Sequence, residues 1–244
     1  MNTINIVPAG DRALSVQLEQ VIEGNVNDKV HGLMTAVQAA GMEGIEELIP
    51  TYCSLLVLYD PLKITYDRLR ARLTELYENA SAAEKKPSRL LHVPCCYGAH
   101  FGPDLAGLEA LTGLSRRQII ELHSSTDYRV YMLGFLPGFV YLGGMDPRLE
   151  APRLKTPRLK IPRGSVGIGG AQTGVYPMIS PGGWQLIGAT PLEFFDARCS
   201  EPVLCKAGDF IRFEPIDVCE YYDIRQSMQR GTYQLRITEV DHGN

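Results

Sequence analysis

Along residues 1–79 the hydrophobic positions switch between a period of two and a period near 3.6, and the switches divide the segment into elements. Ile4–Val7 and Ala13–Leu18 are short strand-like runs parted by the turn Ala9-Gly10-Asp11. Val26, Val30, Leu33, Met34 and Val37 then recur at helical spacing until Gly41 stops the helix. Ile45–Ile49 and Ser54–Tyr59 read as a strand pair, and a second helix from Tyr66 places Leu69, Leu73, Leu76 and Tyr77 on one face. The order β-β-α-β-β-α predicts a two-layer α+β sandwich. Nothing in it forms a catalytic constellation.

Residues 81–88, small and polar, read as a linker. Beyond it Leu90–Cys95 is strand-like, and Ser115-Arg116-Arg117-Gln118 has the S-x-x-Q form that caps a short helix running through Leu122. From Tyr128 the texture changes to short β-branched and aromatic runs divided by Gly and Pro: Tyr128–Leu133, Ser165–Ile168, Trp184–Ile187 and Phe210–Phe213. The tail adds a helix and the strand Gln234–Val240. Many short strands with frequent turns predict a closed or nearly closed β-barrel. The expected fold class is α+β: a small N-terminal α/β sandwich domain, residues 1–85, and a β-barrel domain, residues 86–244.

Composition narrows the function classes. The 244 residues suffice to bury a core, and 45% hydrophobic with 21% charged content is ordinary for a globular chain. A net charge of −4 argues against a general nucleic-acid binder, which needs a basic face. No apolar run approaches the ~20 residues of a membrane span, and Met1–Val16 lacks the pattern of an export signal. A cytoplasmic chain with neither nucleic acid nor membrane as partner is expected, its six cysteines reduced thiols. His92, Cys95, Cys96 and His100 have zinc-ligand chemistry, but adjacent cysteines on a strand point to opposite faces, so strand packing is expected and no metal.

Between Asp146 and Arg163 runs an internal repeat: Pro147-Arg148, Pro152-Arg153, Pro157-Arg158 and Pro162-Arg163. Proline excludes a helix and suits no central strand, so an extended functional loop is expected. Its six basic and two acidic side chains give +4, a basic strip in an acidic chain. In an extended chain a five-residue step flips the face, setting Arg148 and Arg158 against Arg153 and Arg163. The planar guanidinium fork suits a carboxylate or phosphate; solvation and loop-pinning are the alternative. Phe135 and Phe139 flank a Pro-Gly turn and make an apolar wall. In Gly164–Gly174 the glycines bring backbone close to something, and Gln172 and Thr173 supply polar handles. Tyr176 and Trp184, the only tryptophan, follow.

The P-loop, G-x-G-x-x-G and G-x-S-x-G patterns are all missing, and the chain shows no complete nucleophile–base–acid set. The candidates for chemistry are His123 as acid or base, Arg158 and Gln172. Those for ligand binding are Phe135, Phe139, Arg148, Arg153, Thr173, Tyr176 and Trp184. A structural hydrogen-bonding role is the alternative for His123.

Taken together, Leu122-His123-Ser124-Ser125, Gly134–Phe139 with Tyr141-Leu142-Gly143-Gly144, the Pro-Arg repeat, Gly164–Pro177, Ser180–Gly188 and Leu192–Asp196 resemble one family. It is the B-subunit family of bacterial ATP-dependent 5-oxoprolinases, also labelled allophanate hydrolase subunit 1 and including the Kip-type histidine-kinase inhibitors. The resemblance implies a small α/β domain followed by a cyclophilin-like barrel. It also implies a paired C subunit, a separate A subunit, and 5-oxoproline opened to glutamate. ATP with Mg2+ would serve the complex, none being held tightly by this chain alone. Two other readings use the same residues: inhibition of a sporulation-type sensor kinase, and an allophanate- or urea-processing amidase role. Arg163 stands where the family usually has a small residue, and Ala189 where a basic one is common.

Overall fold

The computed structural model describes residues 4–21, 23–79 and 88–240. The chain divides into the units Met1–Lys86 and Pro87–Asn244. In the first unit strand alternation sorts side chains directly: Leu14 and Val16 of β2 (Ala13–Gln17) and Leu55 and Val57 of β4 (Ser54–Tyr59) are buried. They meet Val26, Val30, Leu33 and Val37 of α1 (Gly24–Ala40) and Leu69 and Leu73 of α2 (Tyr66–Asn79). With β1 (Asn5–Pro8) and β3 (Ile45–Pro50) the strands form an antiparallel sheet in the order β1-β2-β4-β3. Gly41 ends α1 in the left-handed conformation, φ 54°, where a Cβ would be strained. The expected linker lies outside the described residues except for Ser88, which already belongs to a strand.

The second unit holds β5 (Ser88–Tyr97), α3 (Leu105–Thr112), α4 (Arg116–Ser124), β6 (Tyr128–Leu133) and β7 (Val140–Gly143). After a single 3-10 turn, Pro147–Leu149, come β8 (Arg158–Ile161), β9 (Ser165–Gly169), β10 (Gln172–Val175), β11 (Ser180–Gly182) and β12 (Gln185–Ala189). β13 (Phe210–Ile216), α5 (Val218–Gln229) and β14 (Ile237–Val240) complete it. Seven strands run β12-β9-β10-β7-β6-β13-β5, and β12 pairs back onto β5 to close the barrel. The fold is α+β. Leu91, Val93, Cys95, Val130, Val140, Leu142, Val166, Ile168, Ile187, Ile211 and Phe213 fill the barrel with the alternation a closed sheet imposes. α4 carries the reciprocal capping box of Ser115 and Gln118 and contributes Ile119 to that core.

Two expectations change. α3 adds a helix that the sequence does not announce, because its one buried face, Leu105 and Leu108, is too short to show a period. The Pro-Arg strip is no uniform extended loop. Asp146 caps the 3-10 turn with Pro147 at its start, where a missing N–H costs nothing. Arg158–Ile161, free of proline, pairs antiparallel with β11 as an outlying two-stranded sheet. The simple facing rule for the four arginines therefore does not apply.

Candidate functional site

β9 and β10 point Val166, Ile168, Thr173 and Val175 inward, so their outward positions include Gly167, Gly169 and Gly174. On this bare face lies the indole of Trp184. A Cβ at Gly169 would sit 2.5 Å from the ring and one at Gly174 3.0 Å from it. What the glycines approach is a tryptophan of their own chain. Phe139, Ile161, Tyr176 and Leu186 wall the indole in, with ring centroids of Phe139 and Tyr176 at 5.6 and 6.2 Å. Tyr141 of β7, two residues beyond Phe139, extends the cluster at 4.9 Å. Phe135 stands at its edge, 5.8 Å from Phe139 and 66% exposed, in the left-handed backbone region at φ 61°. A bulky side chain there stores strain, a pattern found at ligand-contacting loops.

Three of the four repeat arginines are neutralised. Arg148 forks onto Asp146, 3.0 and 2.6 Å, and Arg163 pairs with Glu193. Arg158 donates to Asp104 at 2.6 Å, while the other carboxylate oxygen of Asp104 accepts from the Leu186 amide at 2.7 Å. Asp104 thereby ties the outlying sheet to the barrel. Nη1 of Arg158 and Oγ of Ser180 are buried without a hydrogen-bond partner among the described residues. Arg153 alone is different. Its guanidinium is exposed and lies over Trp184, 5.9 Å from the ring centroid, with no side-chain hydrogen bond or ion pair to an acceptor among the described residues. Its charge pulls against the burial that raises the Tyr141 hydroxyl pKa. Removing the tether should be felt in stability: Asp104→Asn and Arg158→Ala are each expected to lower the unfolding free energy by about 1–3 kcal/mol. Denaturant midpoints of the purified variants check this.

His123 and Thr173 belong to the opposite face of this wall, inside the barrel. Thr173 Oγ donates to the Gly167 carbonyl at 3.0 Å, so its oxygen must accept from His123 Nε2 at 2.8 Å. The imidazole therefore carries its proton on Nε2, and Nδ1 accepts from the Tyr97 hydroxyl at 2.8 Å. Complete burial lowers the His123 pKa to about 3, and desolvation of the partly buried Tyr97 holds its hydroxyl well above the usual range. His123 is thus a neutral hydrogen-bonding link that carries no exposed surface.

The structure brings Phe135, Phe139, Arg153, Tyr176 and Trp184 into one cluster. Gln172 opens β10 opposite Gly169 and is half-buried. Sequence reasoning missed Asp104 and Tyr97; nothing local marks Asp104, whose partner lies 54 residues away. Tyr141 was findable from its two-residue spacing to Phe139. Elsewhere Cys95 and Cys96 fall in different apolar clusters, His92 bonds Glu214 and Thr238 at 3.0 Å each, and His100 stacks on Phe101.

Residues 4–205 match the family described as carboxyltransferase domain, subdomain C and D. The chain is 40% identical over 228 residues to the B subunit of the Bacillus subtilis 5-oxoprolinase, a match covering 89% of this chain and 95% of that one. It is 43% identical over 207 residues to the B subunit of the Escherichia coli O157:H7 5-oxoprolinase, covering 84% and 93%. The chain belongs to the family of 5-oxoprolinase B subunits. Its fold recurs inside a far larger enzyme: the Kluyveromyces lactis urea amidolyase structure superposes with a TM-score of 0.84 over 98% of this chain and 16% of the other, at 22% identity. Among the described residues no helix is long and apolar enough to cross a membrane.

Proposed function

We propose that this chain is one component of an ATP-dependent 5-oxoprolinase that hydrolyses 5-oxo-L-proline to L-glutamate, and that it works only with paired C-type and A-type subunits in the cytoplasm. The observation that carries the reading is 40% identity along almost the full length of a relative bearing that name. A kinase-inhibitor role has no separate support in the site. A urea-processing role is supported more weakly than the 5-oxoprolinase reading, since the Saccharomyces cerevisiae urea amidolyase is 26% identical and this chain spans 14% of it. The same reading takes the barrel as cyclophilin-like and places the domain boundary at residue 85.

The chemistry demanded is activation of a lactam, a poor electrophile, whose oxygen becomes a leaving group once phosphorylated. ATP with Mg2+ belongs, in this reading, to the assembled complex. The glycine-rich strands here have their amides engaged elsewhere: Gly164 and Gly170 donate to the Tyr176 and Ala151 carbonyls, and Gly167 sits in a ladder between Gly174 and Leu186. The part assigned to this chain is to bind and orient the organic acid on the Trp184 face, with Gln172 at its rim and Arg158 and His123 holding its shape.

ATP-dependent glutamate release from 5-oxoproline, assayed with this chain alone and with candidate C and A subunits, tests the proposal. Turnover is expected only in the complete mixture. Robust turnover by the isolated chain would overturn the partner requirement, and none in a verified complex would overturn the reaction.

A further inference from the structure

We infer that Arg153, set over Trp184, is the carboxylate-binding fork of a site for a small, flat monoanionic acid. Resting on the function proposed above, that acid is the ring-bearing substrate.

Several features converge on one ligand class. Placed over the indole with no carboxylate partner among the described residues, the guanidinium keeps an edge of paired N–H donors, which a carboxylate can accept in two parallel hydrogen bonds. The neighbouring repeat arginines are already matched by Asp146, Asp104 and Glu193, so the face offers one uncompensated guanidinium from the repeat. One guanidinium fork suits one carboxylate. A polyphosphate asks for several cations and a cradle of free amides, and the amides of Gly164 and Gly170 are taken. Beside the fork runs an aromatic wall, from Trp184 through Phe139 to the exposed Phe135, with Tyr141 packed on Phe139. Trp184 and Phe139 are nearly buried, so a flat five-membered ring would meet this wall at its exposed edge, Phe135, while its carboxylate reaches Arg153. Phe135 is held out to solvent by a backbone conformation that phenylalanine rarely adopts, which suits a lip waiting for an apolar partner.

Trp184 is the only tryptophan, so its fluorescence reports this site directly. The full-length chain is titrated with 5-oxo-L-proline, with 2-pyrrolidinone as the same ring without the carboxylate, with inorganic phosphate and with ATP. Calorimetry on the same samples covers binding that leaves the emission unchanged. A saturable response to 5-oxo-L-proline is expected, weakened about 10- to 100-fold by Arg153→Gln and only in part by Arg153→Lys. Pyrrolidinone should not saturate, and phosphate and ATP should bind more weakly than the acid. Equal binding by Arg153→Gln, equal binding of pyrrolidinone, or tighter binding of phosphate or ATP would overturn the assignment. So would a variant that binds the acid normally but fails to join its partner subunits, since Arg153 would then be an interface residue.

Glutamate release by the reconstituted complex separates this inference from the reading beneath it. Wild-type turnover with undiminished turnover by Arg153→Gln removes the site and keeps the function. Acid binding at Trp184 without turnover in a verified complex keeps the site and removes the function.

Discussion

Replacing Trp184 by alanine is expected to destabilise the barrel unit by about 3–5 kcal/mol and to abolish acid binding together with any activity of the assembled complex. The indole is 4% exposed and fills the space between Phe139, Ile161, Tyr176 and Leu186 on one side and three glycines on the other. Its removal leaves a cavity that the ladder-bound glycine strands cannot collapse to fill, and it takes away the surface on which Arg153 rests. Trp184→Phe keeps part of the packing and should recover much of the stability but little of the binding, because the six-membered ring offers a weaker cation seat. Chemical denaturation and acid titration of the two variants side by side check both halves. If the alanine variant lost less than about 1 kcal/mol, or the phenylalanine variant bound as wild type, the platform argument would fail. Gly169→Ala reaches the same place from beneath, since its Cβ would stand 2.5 Å from the indole.

His123 should produce the second large effect, and it should appear as a pH dependence. Its unfolded imidazole titrates near 6.5 and its folded one near 3. Between these values the unfolded chain binds the extra proton, so stability rises with pH. The contribution is complete above 6.5 and is lost as the pH falls toward 3, at about 1.4 kcal/mol per pH unit. Unfolding free energies measured from about pH 7 to pH 4 should fall steeply in the wild type, and His123→Gln should remove that part of the slope. His123→Ala at neutral pH is expected to cost about 3 kcal/mol or more, since it opens a cavity and strands the Tyr97 hydroxyl inside the barrel. Superimposable pH profiles of wild type and His123→Gln would show that the buried imidazole is not what resists acid.

These two residues also show how legibility in the sequence divided. The helices and strands of the first unit could be read residue by residue because its amphipathic periods are long and unbroken: Leu69 and Leu73 on α2, Leu14 and Val16 on β2. The Ser115-Gln118 box located α4 because capping chemistry is local. In the barrel, strands such as β6 and β9 could be read, while β7, β10 and β11, at three or four residues, were too short to carry a period. The resemblance to the 5-oxoprolinase B subunits rested on the same glycines, prolines and arginines that the site uses.

The sequence by itself determined the α+β composition, the chemical character of the Pro-Arg strip and the set of side chains from which a site could be built. Each of these depends on residues near one another along the chain. Tertiary structure alone decided the rest: that the glycines make room for Trp184, that Arg148, Arg158 and Arg163 are silenced by carboxylates, and that Arg153 is left over Trp184 with no carboxylate partner among the described residues. It also decided that His123 sits in the dark interior with its proton on Nε2. Pairing of a charge and burial of an imidazole are set by groups tens of residues away, Asp104 for Arg158 and Thr173 for His123, and no local pattern encodes which distant partner the closing barrel brings within reach.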